Sequence, residues 1–167
     1  MSTVDAFRLV IPGAPVGWAR PRFVRRGEHM QSFTDPKARS YAERIGTEWI
    51  AAGRPALAAG PFRLVVVAFM TRPKGHWRAG GGLSAAGMRA GWYPTTKPDL
   101  DNIAKLVCDA LMGVEAIPDD AALVDLRVGK QYLGAVSDGA YVAVLAESLL
   151  EGGEDLHAWT VARRPAA

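Results

Sequence analysis

Residues 62–70 read FRLVVVAFM, and this stretch decides how the chain folds. Its apolar run from Leu64 to Met70 is too short for a helix of roughly 10–12 residues and far short of the roughly 20 a membrane span needs. A short run of this kind, carrying three valines, reads as a central strand covered on both faces. Upstream, Thr34 or Asp35 can cap a helix with Pro36 in its first turn. Ala38, Tyr41, Ala42, Ile45 and Trp49 recur at helical spacing, and Gly53 and Pro55 end it. Before that helix, residues 15–32 are rich in Gly, Pro and Arg and read as a loop or irregular ribbon. Phe7–Ile11, stopped by Pro12 and Gly13, reads as a first strand.

Downstream, residues 71–98 form a 28-residue stretch with no clear period, the length at which loops are usually functional or disordered. A second helix is expected from about Asn102 to Met112. Its apolar stripe is Ile103, Leu106, Val107, Ala110 and Leu111, with Gly113 in the C′ position. Strands follow at about Leu123–Leu133 and Ala140–Leu145. The order β–α–β–loop–α–β–β predicts an α+β fold: one small domain over residues 1–150, a mixed β-sheet with two packed helices. The basic loop 71–98 is expected to be flexible, and residues 151–167 to form a frayed tail. A length of 167 residues and 49% hydrophobic content suit one domain with its own core. One cysteine, Cys108, excludes an intrachain disulfide framework and points to a reducing compartment. The N-terminus lacks the basic-then-apolar pattern of a signal peptide.

Net charge is only +3, but the sum conceals a division. Residues 1–98 hold 15 Lys/Arg against 5 Asp/Glu; residues 99–167 hold 5 against 12. A basic half is the footprint of a polyanionic partner. The 71–98 loop contributes Arg72, Lys74, Arg78, Arg89 and Lys97 with no acid, together with Trp77, Trp92 and Tyr93. Acids begin immediately after it, at Asp99 and Asp101. In an extended entry to the helix these two point the same way and can face one cation. Lys105 and Asp109 continue at intervals of four along the polar face. Asp119 and Asp120 supply further carboxylate at the mouth of the next strand. Such carboxylates, completed by waters and a phosphate, are what Mg²⁺ uses. Cations that hold phosphates beside acids that hold a metal form the layout for metal-assisted attack on a phosphodiester.

The sequence resembles the RusA-type crossover (Holliday) junction endodeoxyribonucleases. The resemblance rests on Ala19-Arg20-Pro21-Arg22, on the motif from Lys97-Pro98-Asp99-Leu100-Asp101-Asn102 through Lys105 and Asp109 to Gly113, and on Asp119-Asp120 with Lys130 on the following strand. It implies a homodimeric, Mg²⁺-dependent nuclease, cytoplasmic and encoded by a bacterium or phage, that nicks four-way DNA junctions symmetrically in recombination and repair. It places the metal ligands on Asp99, Asp101 and Asp120, with Asp119 as the alternative to Asp120. Lys105 would be the catalytic lysine, oriented by Asp109. One or two Mg²⁺ per subunit are expected, with Mn²⁺ as a substitute. Lys105, ringed by acids, would act as a cation on the transition state rather than as a base. Arg20, Arg22, Arg25, Arg26, Arg72, Lys74, Arg78 and Lys97 are the candidate contacts to DNA, and Trp77 or Trp92 could stack on unpaired bases.

Two other readings compete. A nucleotide or sugar-nucleotide enzyme would use Asp99 and Asp101 to hold a diphosphate, but does not account for the acid-free loop. A DNA-binding module without catalysis would use the same acids only as helix caps. His29, His76 and His157 lack metal-ligand spacing, so zinc is not expected. Cys108 and Trp49 read as core residues.

Overall fold

A computed structural model describes residues 2–18, 22–26, 29–33, 35–134 and 139–150, with side chains from residue 35 onward and over residues 2–18. The strands are β1 (Ser2–Val4), β2 (Ala6–Pro12), β3 (Arg22–Arg26), β4 (His29–Phe33), β5 (Pro55–Leu57), β6 (Phe62–Met70), β7 (Leu123–Tyr132) and β8 (Tyr141–Ser148). The helices are α1 (Pro36–Ala51), α2 (Ala85–Ala90) and α3 (Leu100–Gly113). The main sheet has the order β2-β8-β6-β7. β8 runs antiparallel to both β2 and β6, whereas β6 and β7 are parallel. The fold is α+β with a mixed sheet, and two short pairs, β1 with β5 and β3 with β4, flank it.

A parallel pair cannot be closed by a tight turn; it needs a crossover. Here the crossover contains α2 and α3. The buried residues of β6, Phe62, Leu64, Val66 and Ala68, alternate along the strand and face the helices. They meet Ile45 and Trp49 of α1 and Ile103, Leu106, Val107 and Leu111 of α3 in one core cluster. Burying each large side chain contributes about 1.5–3 kcal/mol. α1 begins where expected: the Asp35 carboxylate accepts from the Lys37 amide at 2.9 Å, and Pro36 opens the helix. Thr34, the other candidate cap, lies outside the described residues, as does the expected tail 151–167.

β6 departs from the expectation of burial on both faces. Its second face, with Arg63, Val65, Val67 and Phe69, is only half-buried, because both long helices pack on the other side. An ion-pair cluster stands on that open face. Arg63 meets Asp125 at 2.5 Å and Glu147 at 3.4 Å, and Arg127 meets Asp125 at 3.1 Å. Burial pushes the Asp125 carboxyl up, but the hydrogen bonds and charges of Arg63 and Arg127 outweigh it and hold it below the ordinary carboxylate range. A carboxyl lowered in this way stabilises the fold above its unfolded pKa, and that contribution is lost as pH falls through the folded value.

Loop 71–98 also departs from expectation, since it contains a 3₁₀ turn at Lys74–His76 and the six-residue α2. Sequence periodicity cannot reveal a helix of under two turns. Gly87 lets α2 lie directly on the His76 carbonyl, which a Cβ would overlap. The 15–32 stretch, expected as a loop or irregular ribbon, contains β3 and most of β4, paired antiparallel.

α3 ends in a Schellman motif. The Glu115 amide donates to the Met112 carbonyl and the Ala116 amide to the Leu111 carbonyl, both at 2.9 Å. The left-handed residue is Glu115 (φ 61°), not Gly113, which is the last helical residue. A Cβ in that conformation is strained by about 1 kcal/mol. Glu115→Gly is therefore expected to stabilise the protein by about 0.5–1 kcal/mol, read as a higher urea midpoint at unchanged m value. A lower midpoint would contradict the assignment of strain.

Candidate active site

The N-terminus of α3 is held by two straps. The Lys130 ammonium on β7 donates to the Thr96 carbonyl at 2.6 Å and the Pro98 carbonyl at 3.2 Å, fixing the chain on either side of the cis Lys97–Pro98 bond. From the other side, the Trp18 amide donates to the Asn102 carbonyl at 3.0 Å. Gly17 permits this approach, because a Cβ there would stand 2.8 Å from the Asn102 Cβ.

Asp99 is the N-cap of α3 and Asp101 lies in its first turn, so the helix starts two residues earlier than expected. The extended-chain argument for two carboxylates facing one way therefore does not apply. Once Asp99 accepts the Ile103 amide on its backbone carbonyl (3.1 Å), Leu100 and Asp101 turn with the helix. The Asp99 side chain makes no capping hydrogen bond. Asp99 and Asp101 are exposed, and neither has a side-chain partner among the described residues. An open cleft of about 780 Å³ adjoins Asp99, with Trp18, Asp35, Lys37, Lys97 and Asn102 in its walls.

Behind these acids runs a short polar chain. Trp18 Nε1 donates to Asp109 Oδ2 at 2.7 Å, and the Lys105 ammonium lies 3.4 Å from the same oxygen. Lys105 is two-thirds exposed, so its cation stays available to a ligand. The contact from Trp18 was not anticipated from the sequence, where its one signal is its position beside Ala19-Arg20.

Asp119 and Asp120, inseparable by sequence, differ in the structure. The Asp119 carboxylate accepts from the Ala121 amide at 2.8 Å and caps the short 3₁₀ turn Asp120–Ala122. Asp120 is exposed with no side-chain partner among the described residues. Its charge acts on Cys108, a buried thiol that desolvation pushes up to about 11, with Asp109 and Asp120 adding to the rise and Lys105 opposing it. Cys108 lies seven residues beyond Asp101, about 10 Å along the helix. Asp101 and Asp109 lie along one side of α3 with Lys105 between them, four residues from each. Among the described residues, no three acidic, histidine or cysteine side chains converge as ligands to one ion. This arrangement does not fit a closed, dehydrated centre of the zinc type. It does fit Mg²⁺, which takes one or two carboxylates and completes its shell with waters and substrate phosphate.

The proposed DNA contacts fall into three groups. Lys74, Arg78 and Lys97 are exposed. Arg20 and the side chains of Arg22, Arg25 and Arg26 lie outside the described residues, with the backbone of the last three in β3. Arg72 is the correction: it is only 8% exposed. Its guanidinium donates to the Gly91 carbonyl at 2.7 Å and the Gly87 carbonyl at 3.3 Å, between the rings of Trp92 (5.4 Å) and Tyr132 (4.8 Å). A planar cation committed to two carbonyls and two aromatic faces organises the loop and is not presented to a phosphate. Trp77 is half-buried and bridges to Leu83.

Comparison with known proteins matches the sequence to one family. The family model described as "Endodeoxyribonuclease RusA" matches residues 12–144, a span containing Trp18, Asp99, Asp101, Lys105, Asp109, Asp120 and Lys130. A relative from Bacillus subtilis (strain 168), "Uncharacterized protein YqaN", is 33% identical over 132 residues, 77% of this chain and 89% of the relative. Among the described residues, no helix is long and apolar enough to cross a membrane.

The polar chain predicts a graded response in stability. Trp18→Phe removes the indole donor to Asp109 and is expected to cost about 1–2 kcal/mol in urea unfolding. Asp109→Asn keeps an acceptor for that donor and should cost less. Equal losses in the two variants would show that the hydrogen bond is not what holds the strap.

Proposed function

Because the chain belongs to the RusA endodeoxyribonuclease family, we propose that it is a divalent-metal-dependent nuclease that resolves four-way DNA junctions by paired nicks. The observation that supports this most is the Asp99 carboxylate, which occupies a helix N-cap yet makes no capping bond and faces an open cleft. A module using its acids only as caps would have spent that carboxylate on the helix amides.

In this reading Asp99, Asp101 and Asp120 would supply the carboxylates for one or two ions per subunit, one or two of them to each ion and the rest of its shell from water and phosphate, with Mg²⁺ in the cell and Mn²⁺ as substitute. When bound, the ion supplies Lewis-acid polarisation of the phosphate and a more acidic water. Lys105 faces the charge that develops on the non-bridging oxygens, and Asp109 directs it there without quenching it, since their contact is long and exposed. Trp18 fixes Asp109 and thereby the direction of Lys105. Lys74, Arg78 and Lys97, with the arginines of β3, hold the sugar–phosphate backbone. Paired cuts in a near-two-fold substrate call for two copies of the site, hence a homodimer with two-fold symmetry. A cytoplasmic setting, where DNA and reduced Cys108 coexist, completes the proposal.

The acids give the test of this reading. Asp101→Asn and Asp120→Asn are expected to lower junction cleavage at least 100-fold while binding stays equal or tightens, because repulsion of phosphate falls. Asp119→Asn should keep most activity, its loss being that of a turn cap. Normal cutting by Asp120→Asn would remove it from the ligand set, and loss of binding in either variant would point to misfolding.

Charge removal on the loop separates two kinds of arginine. Arg78→Ala should flatten the salt dependence of junction binding by about one unit of log–log slope. Arg72→Ala should instead cost about 2–3 kcal/mol of stability, as expected when a buried hydrogen-bonded group is removed. A slope unchanged by Arg78→Ala would take that residue off the contact surface.

A further inference from the structure

Tyr93 is 74% exposed, and its neighbour Trp92 is 54% exposed. Large aromatics left in water on a fixed backbone call for an explanation. The backbone here is tied on both sides of Tyr93. The Gly91 carbonyl accepts from Arg72 at 2.7 Å, the Trp92 carbonyl accepts from the Tyr132 amide at 2.8 Å, and Pro94 is buried. Beyond it, Thr96 and Pro98 are held by Lys130. The Tyr93 ring is thus presented from a rigid strap.

It forms one wall of a cleft of about 300 Å³ whose other walls include Val67, Leu100, Lys130 and Gln131. That size is at the low end for small-ligand clefts and suits a single planar group rather than a duplex. The floor is Gly129, which pairs with Val67 across the sheet and contributes no side chain. A Cβ at Gly129 would meet nothing within 4 Å, so close packing does not demand glycine there. The absent side chain leaves the cleft open. Leu100, in the wall, lies directly between Asp99 and Asp101. Asp99 itself opens onto the larger cleft, so a strand whose phosphate reaches these acids would bring a neighbouring base within reach of this one. The surrounding segment, residues 71–98, is acid-free, which suits a polyanion.

We propose that this cleft receives one unpaired nucleobase of the substrate strand, stacked on Tyr93, beside the phosphate to be cut. The inference rests on the nuclease reading for its substrate. It departs from the sequence-based expectation of Trp77 or Trp92 as the stacking residue: Trp77 is half-buried, and Trp92 lies against the Arg72 guanidinium. Tyr93 supplies the sequence-tolerant face, while the Gln131 amide can pair with a base edge and so bias which base is accepted.

Photocrosslinking with the whole 167-residue chain tests this. Four-way junctions carry 5-iododeoxyuridine at each core position in turn and are irradiated without divalent metal, so that base capture is read independently of cutting. The expected result is a crosslink mapped to Tyr93 from one core position. Tyr93→Ala should abolish it and weaken junction binding roughly 5- to 100-fold, the range for loss of one base stack. Tyr93→Phe should keep binding and crosslinking. Gly129→Val, which fills the cleft with a strand-favouring residue, should lose the crosslink while thermal unfolding stays near wild type. Crosslinks from no position to Tyr93, or binding unchanged in both Tyr93→Ala and Gly129→Val, would overturn the proposal. So would a change of sedimentation to monomer in Tyr93→Ala, which would make the cleft a subunit contact. A Tyr93 crosslink in a protein that cuts no junction with any metal would support the base site and overturn the nuclease reading.

Discussion

Two backbone carbonyls, those of Thr96 and Pro98, are gripped by the Lys130 ammonium, and the rest of the site depends on that grip. The parallel pairing of β6 with β7 forces the chain to cross over, and α3 is the last α-helix of the crossover. Where α3 begins is therefore set by where the returning strand can hold the incoming loop. Lys130 does so from within β7. Its register opposite Ala68 puts it on the helix-facing side of the sheet, beside the buried stripe that α3 covers. The sheet thus fixes not only the core but the place at which the acids of α3 emerge.

The segments were legible where burial imposes a period. FRLVVVAFM as a strand, the α1 stripe ending in Trp49 and the α3 stripe from Ile103 to Leu111 read correctly, because each buries a continuous face in one core. What escaped reading was governed by single contacts that leave no period. α2 is too short to show one, and it exists because Gly87 fits against the His76 carbonyl. Arg72 reads as one more basic residue of the loop, yet two carbonyls and two rings draw it inside. The pair of half-buried and buried faces on β6 could not be told from two buried faces, since valine and phenylalanine serve either.

The candidate site was legible in its residues and not in its geometry. The spacing of Asp101, Lys105 and Asp109 correctly puts them on one side of α3, and the Lys105–Asp109 contact follows from it. The relation of Asp99 to Asp101 depended on where the helix begins, which sequence leaves uncertain by a residue or two. That shift changes a convergent pair into acids strung along a helix. Trp18 comes from 91 residues away, and Asp119 and Asp120 are separated only by which one caps the turn. The charge boundary at Lys97–Asp99 keeps its place, but its cationic side loses Arg72 to the interior. What is left exposed in the 71–98 segment is a cationic surface with two aromatic rings beside the acids.

In the proposed function, the exposed acids of α3 and Asp120 serve phosphodiester cleavage rather than local structure. The most direct measurement is strand-resolved gel analysis of a four-way junction, each strand labelled separately, incubated with the wild-type protein with and without Mg²⁺. Nicks at symmetry-related positions in two opposed strands, strictly dependent on the metal, are the predicted result. A junction that is bound but intact across all metal and salt conditions would contradict the account and leave a DNA-binding module in its place.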